Sequence, residues 1–277
     1  MPEGDTIFRA ARTLHRALAG KPVVHFESVF PALTRVHVDT PLTSQTIESV
    51  SASGKHLLMR FSGGLVLRTH MRMNGSWHIY RPHESWQRPR RDMRIVVATS
   101  DLVAVGFNIP VAEFFPARHL ARHEVLRRLG PDLLSEDFDE EEALRRIQAR
   151  PAETIADVLL DQRVIAGIGN VYKSEVLFMA GLHPETPSSA VPHAALERLI
   201  DIARGVLKDN VVDGTSPRIQ TYRNLRQLNP ASEHDESLWV YGRRGKPCRT
   251  CGTPIEMKKT GLEARSTYWC PNCQRIR

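Results

Sequence analysis

The sequence predicts an α+β protein of more than one domain. An N-terminal helix and antiparallel β-sandwich fill residues 1–130, a helical region with a helix–two-turn–helix fills 131–238, and a cysteine-bearing finger fills 239–277. Three observations lead there. Apolar residues recur at helical spacing only up to Gly20, and short alternating runs then follow as far as Phe107. Helical spacing returns after an acidic stretch that opens at Gly130-Pro131. All four cysteines fall in the last thirty residues.

The first helix is read from Ile7, Ala11, Leu14 and Leu18, spaced four, three and four apart, with Gly20 as its stop. Asp5 is a plausible cap. From Val23 to Phe107 the runs are of strand length. They include one hairpin pairing His56–Phe61 with Leu65–Thr69 around Gly63-Gly64, and another pairing Arg94–Ala98 with Leu102–Phe107 around Ser100-Asp101. Seven acidic residues and no basic one lie between Asp132 and Glu142, as at an exposed boundary or the polar start of a helix. Helices are expected over Ala143–Ala149, Thr154–Gln162, Val171–Ala180 and Ala194–Asn210. Val211–Leu238 is polar and punctuated by Pro and Gly, which reads as a mobile functional loop.

Composition limits the function. With 41% hydrophobic and 25% charged residues the chain is of ordinary globular make-up, and no apolar run approaches the roughly 20 residues of a bilayer crossing. No basic-then-apolar leader is present, so a cytoplasmic protein without a membrane partner is expected. The net charge of +7 is concentrated. Ser216–Arg277 holds 12 basic and 5 acidic residues, so the rest of the chain, with 26 of each, is neutral. A basic C-terminal quarter suits a polyanion such as nucleic acid, although a solvated surface would look the same.

Cys248-x2-Cys251 and, eighteen residues on, Cys270-x2-Cys273 form two matched knuckles. Four thiolates so spaced suit one structural Zn2+ in a zinc-ribbon finger, with redox thiol pairs as the competing reading. A closed four-sulfur shell activates no water, so the metal would hold a hairpin, with Lys258, Lys259 and Arg265 at its tip. Ahead of the finger, Ile155–Gln162 and Val171–Phe178 flank a turn with Gly167 and Gly169. Such a turn permits close backbone approach, and Asn170 stands where its side chain and the helix amides could meet a phosphate; a plain packing corner is the alternative. At the start, Met1-Pro2-Glu3-Gly4-Asp5 permits methionine removal and exposes a secondary amine beside a carboxylate. An α-amino group, with a reference pKa near 8, is far less protonated than lysine and is a ready nucleophile for a sugar aldehyde or its equivalent. Alone, this would read as a helix entry.

Taken together, these pieces resemble the formamidopyrimidine-DNA glycosylase and endonuclease VIII family of bifunctional DNA repair enzymes. The resemblance runs through Pro2-Glu3-Gly4, Ser53–Leu58, Arg128–Asp132, Ala166–Tyr172, Tyr241–Cys248 and Arg265–Gln274. It implies a base-excision-repair DNA glycosylase and apurinic/apyrimidinic lyase that works on a base taken out of the stack. In the family mechanism Pro2 attacks the anomeric carbon, the base departs, an imine links enzyme and DNA, and β- then δ-elimination cuts the strand. Glu3 is implied as the general acid, which requires burial to keep it protonated, and Lys55 as the group at the phosphate beside the lesion. Asn170 and Arg265 match the pair that clamps the backbone, with Arg265 also assisting the second elimination. Met73, in His70–Gly75, corresponds to the side chain that fills the vacated stack, and Arg72 and Arg128 are implied DNA contacts.

Two departures matter. Thr6 stands where many members carry a second glutamate. Pro110–Phe115 stands where the purine-directed branch shows an Arg-Arg-Phe-like element. Both this and the Gly-Asp-Thr start favour the endonuclease VIII branch and oxidised pyrimidines in duplex or single-stranded DNA, with a lesion-contacting loop inside Val211–Leu238. A monomer suffices for one lesion site. The alternatives are a non-catalytic damaged-DNA-binding protein and the purine-directed activity.

Overall fold

The structure is a computed structural model that describes residues 2–212, 219–222, 237–261 and 263–276. It forms two compact units that meet between Arg128 and Leu129, and each is considered by itself.

In the first unit α1 (Gly4–Leu18) buries Ile7, Ala11, Leu14 and Leu18 on one face, as the spacing predicts. Two four-stranded antiparallel sheets follow, built from β1 (His25–Ser28), β2 (Ile47–Ser53), β3 (His56–Phe61), β4 (Leu65–His70), β5 (Ser76–Tyr80), β6 (Met93–Ala98), β7 (Val103–Phe107) and β8 (Val111–Pro116). Their orders are β1-β6-β7-β5 and β2-β3-β4-β8. Alternate side chains of the two sheets, among them Phe26, Ile95, Leu57, Met59 and Leu67, close on one core with α1. Both expected hairpins, β3/β4 and β6/β7, are present. Within the stretch read as strands, Pro31–Asp39 is instead a helix, α2, with Pro31 at its first turn and only Leu33 buried. Proline at that position suits a helix start, a signal stronger here than the β-branched residues that follow.

The outer face of β2-β3-β4-β8 is also covered. Leu58, Val66 and Phe115 pack against Ala117, Leu120 and Leu126 of a segment that runs in 3₁₀ turns. The segment that departs from the purine-directed pattern is thus strand β8, paired along its length with β4.

The second unit is helical: α3 (Glu140–Gln148), α4 (Ile155–Leu160), α5 (Asn170–Ala180) and α6 (His193–Val212). Asp139 caps α3 through the Glu142 amide and Thr154 caps α4 through the Asp157 amide. The core gathers Ile155, Leu159, Tyr172, Leu177, Leu199 and Leu207. α5 is buried on almost every side, its polar residues Asn170, Lys173, Ser174 and Glu175 included. The finger, β9 (Glu256–Thr260) and β10 (Arg265–Trp269), belongs to this unit. Of the stretch read as a mobile loop, Val211 lies buried in the last turn of α6, and Ile219 and Leu238 are core residues. Residues 213–218 and 223–236, and with them most of the expected lesion loop, lie outside the described residues.

Candidate active site and zinc centre

In the first unit the expected catalytic residues converge through one packing relation. The Gly20 amide donates to the Ile47 carbonyl at 2.8 Å, and the Val50 amide donates to His15 Nδ1 at 3.1 Å. As α1 advances, its partners in β2 recede, so helix and strand run antiparallel. From His15 back to Gly4 is about 16 Å of helix, against about 10 Å of strand from Val50 to Ser53. The start of α1 therefore lies at the end of β2 where the chain turns through Gly54-Lys55 into β3. Gly54 has φ +54° there, which favours glycine. Pro2 is half-buried and Glu3, at the N-cap position, is fully buried; Met1 is outside the described residues. Asp5, also fully buried, does not cap the helix. Its carboxylate pairs with Arg9 at 3.3 Å and accepts from the Thr6 hydroxyl at 3.4 Å.

The Met73 turn leaves the same end. His56, first residue of β3, pairs with His70, last residue of β4, and the chain then turns through 71–75. Met71 points into the core, while Met73 is 53% exposed, so it is not sheet packing. Arg72 sits at φ +47°, its amide donating to His70 Nδ1 at 3.0 Å. The turn needs Gly75, where a Cβ would come 2.5 Å from the Met71 carbonyl oxygen. Arg128 is exposed in a 3₁₀ turn and paired with Glu124 at 2.9 Å.

In the second unit the turn before α5 is held by Gln162, whose side chain accepts from the Gly167 amide at 3.1 Å and donates to the Leu160 and Ile168 carbonyls. Gly167 has φ +110°. Gly130-Pro131-Asp132 packs on this turn so closely that a Cβ at Gly130 would meet the Val164 carbonyl oxygen at 2.2 Å. Asn170 opens α5, nearly buried. Its Nδ2 donates to the Ser266 carbonyl at 3.0 Å, and its Oδ1 accepts from Lys173 Nζ at 2.8 Å. Lys173, fully buried, also donates to Thr267 Oγ1 at 2.6 Å. These bonds bring Asn170 beside Arg265, whose exposed guanidinium is held by Glu263. Lys258 and Lys259 lie within β9 rather than at the hairpin tip, because β9 continues to Thr260 and β10 begins at Arg265. Lys258 pairs with Glu185.

Tetrahedral Zn–S bonds of about 2.3 Å require sulfurs about 3.8 Å apart. The four cysteine sulfurs lie within 4.8 Å of one another, with Cys248–Cys273 at 3.9 Å and Cys251 at 3.5 Å from both Cys270 and Cys273. The donor set fits one structural zinc.

Comparison with known proteins matches residues 1–109 to the formamidopyrimidine-DNA glycosylase N-terminal domain, 129–221 to the formamidopyrimidine-DNA glycosylase H2TH domain, and 245–276 to the zinc finger found in FPG and IleRS. A probable endonuclease 8 2 of Streptomyces coelicolor is 39% identical over 99% of this chain and 94% of the relative. The chain belongs to the formamidopyrimidine-DNA glycosylase and endonuclease 8 family. Within it, the DNA-(apurinic or apyrimidinic site) lyase Nei2 of Mycolicibacterium smegmatis is 36% identical over 99% of both chains. The formamidopyrimidine-DNA glycosylase of Gloeobacter violaceus is 33% identical over 99% of this chain and 98% of the relative. The fold matches that of the Lactococcus lactis family member solved with abasic-site DNA, with TM-score 0.82, 24% identity, and coverage of 99% of this chain and 100% of that one. The zinc of this family is carried by the four cysteines described above.

Sequence reasoning missed a polar array on the covered face of β2-β3-β4-β8. Arg68, 6% exposed, reaches Glu113 directly across the β4/β8 pairing through Nε at 2.6 Å and Nη2 at 2.5 Å. Its Nη1 lies 2.9 Å from His56 Nδ1, and His123 Nε2 lies 2.9 Å from Glu113. Burial, with the charges of His70 and Arg68, lowers His56 to about 3; burial, with Arg72, Lys55 and Arg68, lowers His70 to about 4. Burial raises the Glu113 carboxyl, but its bonds and charges with Arg68 and His123 outweigh this and hold it below the usual range. The one local signal was a charged residue inside the otherwise apolar run Leu65-Val66-Leu67-Arg68.

Proposed function

We propose that this protein is a bifunctional DNA glycosylase and apurinic/apyrimidinic lyase of base excision repair, acting as a cytoplasmic monomer on oxidised pyrimidines in duplex or single-stranded DNA. What carries the reading is the antiparallel seating of α1 on β2, which places Pro2 and Glu3 at the end of the sandwich that also bears Lys55 and Met73. The Pro2 nitrogen lone pair attacks C1′ of the damaged nucleotide as the bond to the base breaks, Glu3 supplying the proton the reaction needs. The C1′–O4′ bond then opens, with Glu3 protonating O4′, and the C1′–N link becomes an iminium that acidifies the 2′ position. Loss of that proton expels the 3′ phosphate, a second elimination expels the 5′ phosphate, and water releases Pro2. Lys55 grips the phosphate next to the lesion, Asn170 and Arg265 clamp the backbone, and Arg265 assists the second elimination. Met73 fills the gap left in the stack, with Arg72 and Arg128 as further contacts. Zinc supplies no open coordination position and fixes the finger. The basic C-terminal quarter and the relatives named endonuclease 8 support the substrate class.

The test is borohydride trapping on abasic-site DNA with protein shown by mass spectrometry to begin at Pro2. A covalent complex through Pro2 is expected, and Pro2→Gly should slow its formation. No adduct, with DNA binding intact, would overturn the reading in favour of a damage sensor. Faster excision of oxidised guanine opposite cytosine than of thymine glycol would place the protein in the purine-directed branch.

A further inference from the structure

The array around Arg68 sits directly behind the residues proposed to act on DNA. His56 follows Lys55 in the chain and pairs across the ladder with His70, the residue before the 71–75 turn. Their rings meet edge to face, with centroids 4.8 Å apart. A guanidinium has only donors, so His56 Nδ1 accepts from Arg68 and the single proton of the neutral ring rests on Nε2. His70 is fixed in the same sense, because its Nδ1 accepts from the Arg72 amide. Glu113 in turn fixes Arg68 by two bonds to one oxygen and is itself held by His123. One tightly bonded chain thus leads from β8 and the covering segment, through Arg68, to the first residue of β3 and the last residue of β4.

We propose that Arg68 and Glu113 are positioning residues that act through His56 and His70 to set Lys55 and the Met73 turn in their working geometry. The proposal deepens the function given above and rests on it. Arg68 does two things at once: its fork fixes ring orientation and tautomer, and its charge opposes protonation of either imidazole. The charged groups around the two rings are Arg68, His70 and His123 at His56 and Arg72, Lys55 and Arg68 at His70, with Glu113 of β8 behind Arg68. All but Glu113 are basic, so a proton gained by either ring would add a cation to this corner, at His70 next to Lys55 itself. Keeping both rings neutral leaves that corner to the lysine.

The experiment compares wild type with Arg68→Met, which keeps side-chain length and loses the donors and the charge. In the DNA-free protein, NMR of the ring nitrogens should show wild-type His56 as the Nε2–H tautomer, unprotonated down to pH 5. In Arg68→Met the tautomers should mix and the His56 titration should move up by at least about a unit. With saturating enzyme and abasic-site DNA, strand cutting in single turnover should fall at least about tenfold in the variant, and its rate should gain a new acid limb below about pH 5. A loss of packing alone would shift neither the tautomer nor the pH profile. If Arg68→Met does not fold, Glu113→Gln replaces it, since that side chain is 43% exposed and keeps an acceptor for Arg68 and His123; mixing of the tautomers and slower cutting, smaller in size, are expected, with no upward move of the His56 titration, because the charge removed is the one that favours protonation. A variant that cuts at the wild-type rate with an unchanged pH profile and tautomer overturns the proposal. A wild-type protein that neither traps nor cuts overturns the proposed function instead, while the NMR comparison still reports on the array.

Discussion

Glu175 gives the most demanding test of the second unit. It is fully buried in α5, and its carboxylate gathers four donors: the Val240 and Tyr241 amides on Oε1, at 2.9 and 2.8 Å, and the Trp239 amide, at 2.7 Å, with the Thr221 hydroxyl on Oε2. One side chain therefore ties down the backbone on both sides of 223–236 and the approach to the finger. Burial raises this carboxyl against the pull of those donors. In Glu175→Gln the best available orientation turns the amide nitrogen toward Thr221, whose hydroxyl can accept instead of donate. The Trp239 amide then loses its acceptor, at about 2 kcal/mol, and the Val240 and Tyr241 bonds weaken by roughly half a kcal/mol each as the charge disappears. The sum, about 3 kcal/mol, corresponds to about a hundredfold faster opening. Amide hydrogen exchange at 239–241, read by mass spectrometry or NMR, should accelerate by that factor, with the indole N–H of Trp239, bonded to the Thr221 carbonyl at 3.0 Å, exchanging faster in parallel. Exchange within about fivefold of wild type would show that Glu175 is not what holds this backbone.

Two further outcomes are expected. His56 and His70 are neutral in the fold down to about pH 3 and 4 but take up protons below about pH 6.5 when unfolded, so stability falls as pH drops from 6.5 toward 4. For His56 the loss is about 2 kcal/mol at pH 5 relative to pH 7.5, with less from the more exposed His70; urea midpoints at the two pH values should differ accordingly, the difference should shrink in His56→Gln, and equal midpoints would refute the assignment. Elemental analysis should find one zinc per chain. Its removal by a chelator, or by Cys270→Ser, should unfold the β9/β10 hairpin and abolish DNA binding, because two strands alone are marginal in water; a metal-free protein with undiminished affinity would refute the structural role.

What could be read from the sequence follows the range of the forces involved. The face of α1, the β3/β4 hairpin and the cysteine knuckles are set by neighbours a few residues away, and their spacing announces them. α2 escaped because Leu33 is its only buried side chain, leaving no periodicity to detect. That Pro2 lies at the end of the sandwich that bears the Lys55 turn depends on which way a helix lies on a strand, and nothing local encodes that. Arg68 and Glu113 are 45 positions apart and join only through the β4/β8 register. Asn170 is legible as the residue that opens α5, but its bonds to the Ser266 carbonyl and to Lys173 come from the finger and from its own helix and are not announced by the turn that precedes it.

The seating of α1 also makes its length a ruler. The helix is anchored at its far end, by His15 and Gly20 on β2, while the proposed nucleophile rides on the opposite end. Deleting one residue between Gly4 and His15 would draw Pro2 back by about 1.5 Å and swing it about 100° around the helix axis, with every core contact of the last turn intact. Insertions that a surface helix would tolerate elsewhere are therefore excluded here by reach, and the number of residues in this one helix is as much a part of the chemistry as the side chains at its tip.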